Sequence, residues 1–228
     1  MLADRLDATE LMDDPALEAG TYQAVLADLA RVNRITLAYR PTLSFLTRAL
    51  GGRTRFSLLD VGFGDGDMLR TIARWARRRG IEARLTGIDL NPRSKAHAAS
   101  KTPPGDPITY LYGDYRDLEG IGFDCIISSL VAHHMTENQL AAFVRFMEAE
   151  AALGWFVNDL HRHALAYNGW PLLAGLMRWH RIVRLDGRTS IARSFKPHEW
   201  QTMLASESIV GAKVQRCFPF RLCVQRLR

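Results

Sequence analysis

Apolar and polar positions alternate along this chain in blocks of two different periods. Residues 1 to 52 carry Tyr22, Val25, Leu26, Leu29, Val32 and Ile35 to Leu37 at helical spacing and are expected to be helical. From residue 53 the pattern changes to short apolar runs separated by helical stretches and breakers. Runs at Arg55 to Val61, Arg84 to Asp89, Ile108 to Tyr112, Phe123 to Leu130 and Gly154 to Leu160 predict five strands. Asp67 to Arg79 predicts a helix stopped by Gly80, and Pro92 to Ala99 a short one with proline in its first turn. Thr136-Glu137-Asn138-Gln139 has the form of a capping box, after which Leu140, Phe143, Val144 and Met147 form one apolar stripe. Pro197 to Ala205 predicts a further helix, and the tail from Val214 to Val224 two β-like runs split by Pro219.

Strands alternating with helices argue an α/β fold, a parallel sheet covered on both faces by right-handed crossovers. Ligands in such sheets bind beyond the carboxyl ends of the strands, so those ends hold the residues of interest. The first end reads LLDVGFGDGD, with Gly62, Gly64 and Gly66 between an apolar strand and a helix N-terminus. A dinucleotide fingerprint would place Gly or Ala at position 67, where this chain has Asp67. Asp60 and Asp65 add two more carboxylates to the loop. Carboxylates crowded there repel a pyrophosphate and suit a ligand carrying an ammonium and a sulfonium, which is S-adenosylmethionine. Asp89 ends the second strand, where its carboxylate can accept both hydroxyls of a ribose, and Asp114 follows the third, within reach of an adenine amino group, with Tyr115 beside the adenine face. Any one of these acids could be a turn or helix cap. Acids at three strand ends around one glycine loop are a cofactor site. Leu90, Gly113, Ser129 and Leu130 complete the expected cofactor set.

With these pieces in place, the chain resembles the class I S-adenosylmethionine-dependent methyltransferases of the small-molecule kind, related to those of ubiquinone and menaquinone biosynthesis. The resemblance rests on LLDVGFGDGD, LTGIDLNP, YGDYRDL and FDCIISSLVAHHM and covers roughly residues 56 to 160. It implies a seven-stranded Rossmann-like sheet whose last strand runs antiparallel, and a cofactor lined by Gly62, Gly64, Gly66, Asp89, Asp114 and Tyr115. The MDDP start and the NDLHRHALAY segment resemble stand-alone methyltransferases found beside bacterial polyketide and other natural-product enzymes. We therefore expect an N-terminal helical cap over residues 1–52 and a methyltransferase domain over 53–228, with a helical lid inserted after the fifth strand at 160–195.

Methyl transfer needs an aligned nucleophile, and a hydroxyl acceptor also benefits from a general base. His133 and His134, between the fourth strand and the capping box, are the expected base pair, with His134 preferred; Asp159, at the end of the fifth strand, is expected to orient a histidine or the substrate. His161 and His163 lack acid or cysteine partners at metal spacing, so no metal site is expected. ALAYNGWPLLAGLMRWH, residues 164 to 180, is expected to wall the substrate pocket with Tyr167, Trp170, Met177 and Trp179. An apolar wall favours an aromatic or polyketide-like acceptor, methylated at a hydroxyl. N- or C-methylation and a cofactor-binding module without turnover remain as alternatives.

Composition adds limits. The net charge is +6, which allows an anionic partner, but the densest cluster, Arg74 with Arg77 to Arg79, ends a helix, where cations complement the dipole. A nucleic-acid methyltransferase is further disfavoured because Ser128-Ser129-Leu130-Val131 stands where base-amine enzymes have Asn or Asp before Pro-Pro. No apolar run approaches the roughly 20 residues of a membrane span, and the acidic, polar start does not read as a secretory leader. Cys125, Cys217 and Cys223 lie in apolar runs without a CxxC pair and read as buried thiols of a reducing cytoplasm. The lid also leaves open a homodimer or loose membrane-surface contact.

Overall fold

The computed structural model describes residues 2–228. Seven strands, β1 (Arg55–Val61), β2 (Glu82–Asp89), β3 (Ile108–Tyr112), β4 (Phe123–Ser129), β5 (Ala151–Leu160), β6 (Lys213–Cys217) and β7 (Arg221–Leu227), form one sheet in the order β3-β2-β1-β4-β5-β7-β6. β7 alone runs antiparallel to its neighbours. The expected sheet is therefore borne out, strand for strand. The order reverses between β1 and β4, which opens the crevice for a ligand at the carboxyl ends.

Period-two alternation feeds two cores. Leu58, Ile127 and Phe156 point to one face with Phe45, Leu69 and Ile72; Leu59, Ile126 and Trp155 point to the other with Leu140, Phe143 and Trp200. The covering helices are α2 (Tyr39–Leu50), α3 (Asp67–Arg78) and α4 (Pro92–Ser100) on the first face, and α5 (Glu137–Glu150) and α8 (Pro197–Ser206) on the second. α5 starts at the capping box: Gln139 N–H donates to Thr136 Oγ1 (3.3 Å) and Thr136 N–H to Gln139 Oε1 (2.9 Å).

α1 (Ala19–Ile35) packs with a hairpin of α6 (Ala164–Leu176) and α7 (Arg181–Arg193) around Val25, Val32, Ala174, Trp179 and Val183. The helical insertion after β5 is thus a two-helix hairpin. Residues 2 to 18 depart from the expected helix. Apart from one 3-10 turn at Leu11–Asp13, residues 2 to 18 run as an irregular strap. They lack a continuous apolar stripe, and specific polar bonds fix them instead. Arg5 donates to the carbonyls of Arg193 (2.7 Å), His133 (3.2 Å) and Met135 (2.9 Å), and Asp186 accepts from the N–H groups of Leu11 and Met12, both at 2.9 Å. Met1 lies outside the described residues.

Candidate active site

A cavity of about 510 Å³ opens at the carboxyl ends of β1, β2 and β4, a volume within the usual range for small-ligand sites. The glycine turn after β1 forms one wall. Gly62, Gly64 and Gly66 all have positive φ, and Gly62 has no room for a side chain: a Cβ there would meet Val131 Cγ2 at 2.3 Å. The turn is tied to β2 by Asp89, whose carboxylate accepts from Gly64 N–H (2.9 Å) and Asn91 N–H (2.8 Å). Burial raises the Asp89 pKa against those bonds.

Asp60 is the electrostatic oddity of the site. It is buried at the tip of β1, and its Oδ1 has no hydrogen-bond partner. Burial, together with the nearby carboxylates of Asp67 and Asp89, pushes its pKa well up. Three acids thus crowd one turn with a free buried acceptor, an arrangement that a cation would relieve. Asp67 is partly satisfied by Tyr39 Oη (2.7 Å) and Asn33 Nδ2 (3.2 Å). Opposite stands Arg221 at the start of β7. It is fully buried in the cavity wall, with Nη1 unpartnered and Nη2 at 3.3 Å from both Asn33 Oδ1 and Thr36 Oγ1. Sequence reasoning missed Arg221, because nothing in RLCVQRL distinguishes a buried arginine from a surface one.

The other expected cofactor residues divide. Leu90, Gly113, Tyr115, Ser129 and Leu130 line the cavity, Tyr115 wedged between Phe143 and Phe146 at 4.9 Å from each. Leu130 holds a left-handed φ of 59°, and Ser129 Oγ is buried and unpartnered, both marks of a strand end shaped for a ligand. Asp65, which also lines the cavity, and Asp114 are each engaged in local ion pairs. The Asp65 carboxylate is taken by Arg70, Lys101 and His97 (Nε2 at 2.9 Å), an ion cluster that fastens the loop to α3 and α4. Asp114 caps the turn at Tyr115–Leu118 and grips Arg116 in a two-point pair, 2.6 and 3.1 Å. Both acids spend their oxygens on local structure, and Asp114 stands outside the cavity wall.

Past the glycine turn the cavity becomes apolar, walled by Met12, Leu29, Leu160, Trp170, Val183 and Ile191 and floored by Glu10, His133 and His134. Of the expected substrate residues, Trp170 lines the cavity, its Nε1 donating to the Arg184 carbonyl (3.1 Å). Trp179 is buried behind it, stacked at 5.4 Å. Tyr167 and Met177 do not line the cavity: the Arg188 guanidinium covers the Tyr167 ring at 4.2 Å, and Met177 sits exposed at the end of α6.

The two histidines have different states. His133 is buried, with Nδ1 2.7 Å from Asp159 Oδ1 and Nε2 3.4 Å from Glu10 Oε1, and its N–H donates to Asp159 Oδ2 at 2.8 Å. Although burial disfavours its charge, the two carboxylates raise its pKa to about 9, while Glu10 and Asp159 are held below their ordinary values. The two flanking carboxylates therefore favour the protonated ring of His133. His133 and Asp159, both expected at the catalytic end, thus stand within hydrogen-bond distance of each other. His134 is partly exposed and lines the cavity, with Nδ1 3.2 Å from Asp13 Oδ2. Glu10, Asp13 and His134 are brought together only by the strap, a contact that sequence spacing could not reveal. His161, whose pKa burial lowers to about 4, and His163 lie apart from this cavity beside the β6–β7 turn.

Residues 58–150 match a family model described as a methyltransferase domain. No curated protein matches the chain by sequence. Among solved structures, magnesium protoporphyrin IX methyltransferase from Synechocystis PCC 6803, with S-adenosylhomocysteine bound, is similar over 87% of this chain and 84% of its own, with TM-score 0.59 and 17% identity. The plantazolicin methyltransferase BpumL, also with S-adenosylhomocysteine, covers 91% and 96% with TM-score 0.63 and 14% identity. Human N-acetylserotonin methyltransferase, with S-adenosylmethionine, covers 98% of this chain and 60% of its own, with TM-score 0.67 and 14% identity. Residues 58–150 thus match a methyltransferase domain, and the chain as a whole shares the fold of these solved methyltransferases. The resemblance read from the sequence is borne out.

Proposed function

We propose that this chain transfers the methyl group of S-adenosylmethionine to a hydroxyl of a small, apolar acceptor, aromatic or polyketide-like. The observation that carries the reading is the buried, unpartnered Asp60 oxygen beside Asp67 and Asp89, at the head of a cavity that turns apolar towards Trp170 and ends on His134. When bound, S-adenosylmethionine supplies a methyl group already activated on a sulfonium.

The chain's own residues then hold, align and deprotonate. Asp60 would receive the ammonium, and Arg221, whose Nη1 has no partner in the same cavity wall, would receive the carboxylate. Asp89 offers its remaining lone pairs to the ribose hydroxyls, and Tyr115 with Leu130 flanks the adenine. The cap and the lid enclose the acceptor between α1 and the hairpin and exclude water. Alignment of this kind can supply roughly 7–11 kcal/mol of a displacement barrier. His134 takes the hydroxyl proton, a contribution of about 10²–10⁴-fold. Behind it the Glu10–His133–Asp159 group keeps the strap closed.

The relatives of known fold support a small-molecule acceptor, since their names speak of a porphyrin, plantazolicin and N-acetylserotonin. The test is a panel of phenolic and polyketide-like acceptors with methyl-labelled cofactor, run beside His134→Ala and Asp89→Ala. Labelled O-methyl product, lost in His134→Ala with cofactor affinity intact and lost with that affinity in Asp89→Ala, is the expected result. Label appearing on nitrogen or carbon overturns the hydroxyl reading, and cofactor binding without turnover of any acceptor favours a binding module.

A further inference from the structure

The chain's net charge of +6 has a single address. Residues 161–196 hold seven Arg and Lys against one acid, Asp186, so this segment alone carries a charge equal to that of the whole chain. Asp186 is buried and turned inward to the strap. Arg178, Arg181, Arg184 and Arg188 are exposed, and among the described residues none of the four has a carboxylate within 4.0 Å. Three of them, with Leu185, follow each other at helical spacing down the outer face of α7.

Beside this basic row runs an apolar one. Leu165, Leu172 and Leu176 share one stripe of α6 and are 68%, 79% and 77% exposed. The β6–β7 turn extends it: Phe220 packs on His163, which caps α6, at 5.4 Å, and Phe218 beside it is 84% exposed. Long apolar side chains left in water forgo their burial free energy, so a patch of them marks an interaction surface.

We propose that the outer face of the α6–α7 hairpin docks on a bilayer surface bearing anionic headgroups, the leucines and Phe218 entering the headgroup boundary and the arginines pairing with lipid phosphates. The joint presence of apolar side chains and unpaired cations on one antiparallel hairpin selects this occupant. A second copy of the chain fits poorly, because a two-fold contact sets the arginine row against itself. A nucleic acid would engage the arginines and leave the leucines in water. The inference goes beyond methyl transfer and stands without it. The hairpin also supplies Trp170, Val183 and Ile191 to the acceptor cavity, which brings the site close to any apolar acceptor dissolved in the bilayer.

The experiment is flotation of the full chain with vesicles of phosphatidylcholine alone and of phosphatidylcholine with one quarter phosphatidylglycerol. Wild type should float with the anionic vesicles, at least about tenfold better than with the neutral ones, and lose this at high salt. Leu172→Glu/Leu176→Glu and Arg181→Glu/Arg184→Glu should each weaken it by about tenfold or more, with circular dichroism and S-adenosylmethionine affinity unchanged. Absence of flotation in wild type overturns the proposal, as do equal binding to both vesicles and indifference to either pair of substitutions. So does a concentration-dependent dimer, seen by analytical ultracentrifugation, that the leucine pair dissolves.

Discussion

Asp159 at the end of β5 holds the buried His133 ring at 2.7 Å, and Glu10 faces the same ring from the N-terminal strap at 3.4 Å. One histidine ring therefore clamps the strap to the sheet. Its folded pKa of about 9 stands above the ordinary 6.5, so its contribution is complete below pH 6.5 and is lost as pH rises through 9. Glu10 and Asp159 are depressed, so theirs is present above the ordinary carboxylate range and is lost on acidification. Thermal unfolding should show greatest stability between these limits and a midpoint that falls from pH 6.5 to 9. His133→Gln should flatten that alkaline decline, and Glu10→Gln should cost about 1–3 kcal/mol while exposing residues 2 to 18 to proteolysis. An unchanged alkaline slope in His133→Gln would show that the decline comes from elsewhere.

Asp60 makes a prediction of opposite sign. Its pKa is raised because burial and two neighbouring carboxylates oppose its charge, so its proton is held more tightly than that of an ordinary aspartate. A cationic ligand would expel that proton, and affinity for S-adenosylmethionine should accordingly increase with pH. Calorimetry in two buffers of different ionisation enthalpy should detect the released proton. Asp60→Asn should bind at least about tenfold more weakly and release none.

The glycine turn is tested at its tightest point. Gly62→Ala brings a Cβ against Val131 Cγ2 and forces a side chain into a φ of 78°. Together these should cost about 1–3 kcal/mol of stability and most of the cofactor affinity. Adding Val131→Ala removes the clash and leaves the strain, so the double variant should recover part of the stability. Full recovery would mean that the backbone conformation there costs little.

The same contrast between local and long-range contacts explains what the sequence revealed. β1, β3 and the α5 capping box were legible to the residue, because period-two burial and capping are local rules. Asp60, Asp89 and the glycines were legible as a set, because a strand end followed by a glycine turn fixes where they point. The ion pairs of Asp65 and Asp114 were not legible, since a carboxylate beside a cofactor turn and one that pairs with Arg70 or Arg116 look alike in sequence. The floor of the acceptor end was illegible. Glu10 meets Ser190 and His133 across 180 and 123 positions of chain, and the strap that carries it has no periodicity to announce a fold. Tyr167 and Met177 were assigned to the pocket with Trp170 because all are large and apolar; Arg188 caps the first, and the second lies beyond the last turn of α6.

Trp170 offers the sharpest separation of the two halves of the site. Its ring reaches the cavity only because Gly187 on α7 has no side chain: a Cβ at that position would lie 2.1 Å from the indole. Gly187→Ala must therefore push the ring out of its seat, breaking the bond from Nε1 to the Arg184 carbonyl and deforming the apolar wall. The cofactor half is built on β1 and β2, whereas this pair belongs to α6 and α7. KM for the acceptor should rise several-fold with S-adenosylmethionine affinity unchanged, and overpacking should cost about 1–3 kcal/mol of stability. Trp170→Phe in the same chain makes room for the new methyl group and should restore stability more than it restores KM, since the indole that shaped the wall is gone. A Gly187→Ala enzyme with wild-type acceptor kinetics would remove Trp170 from the substrate wall.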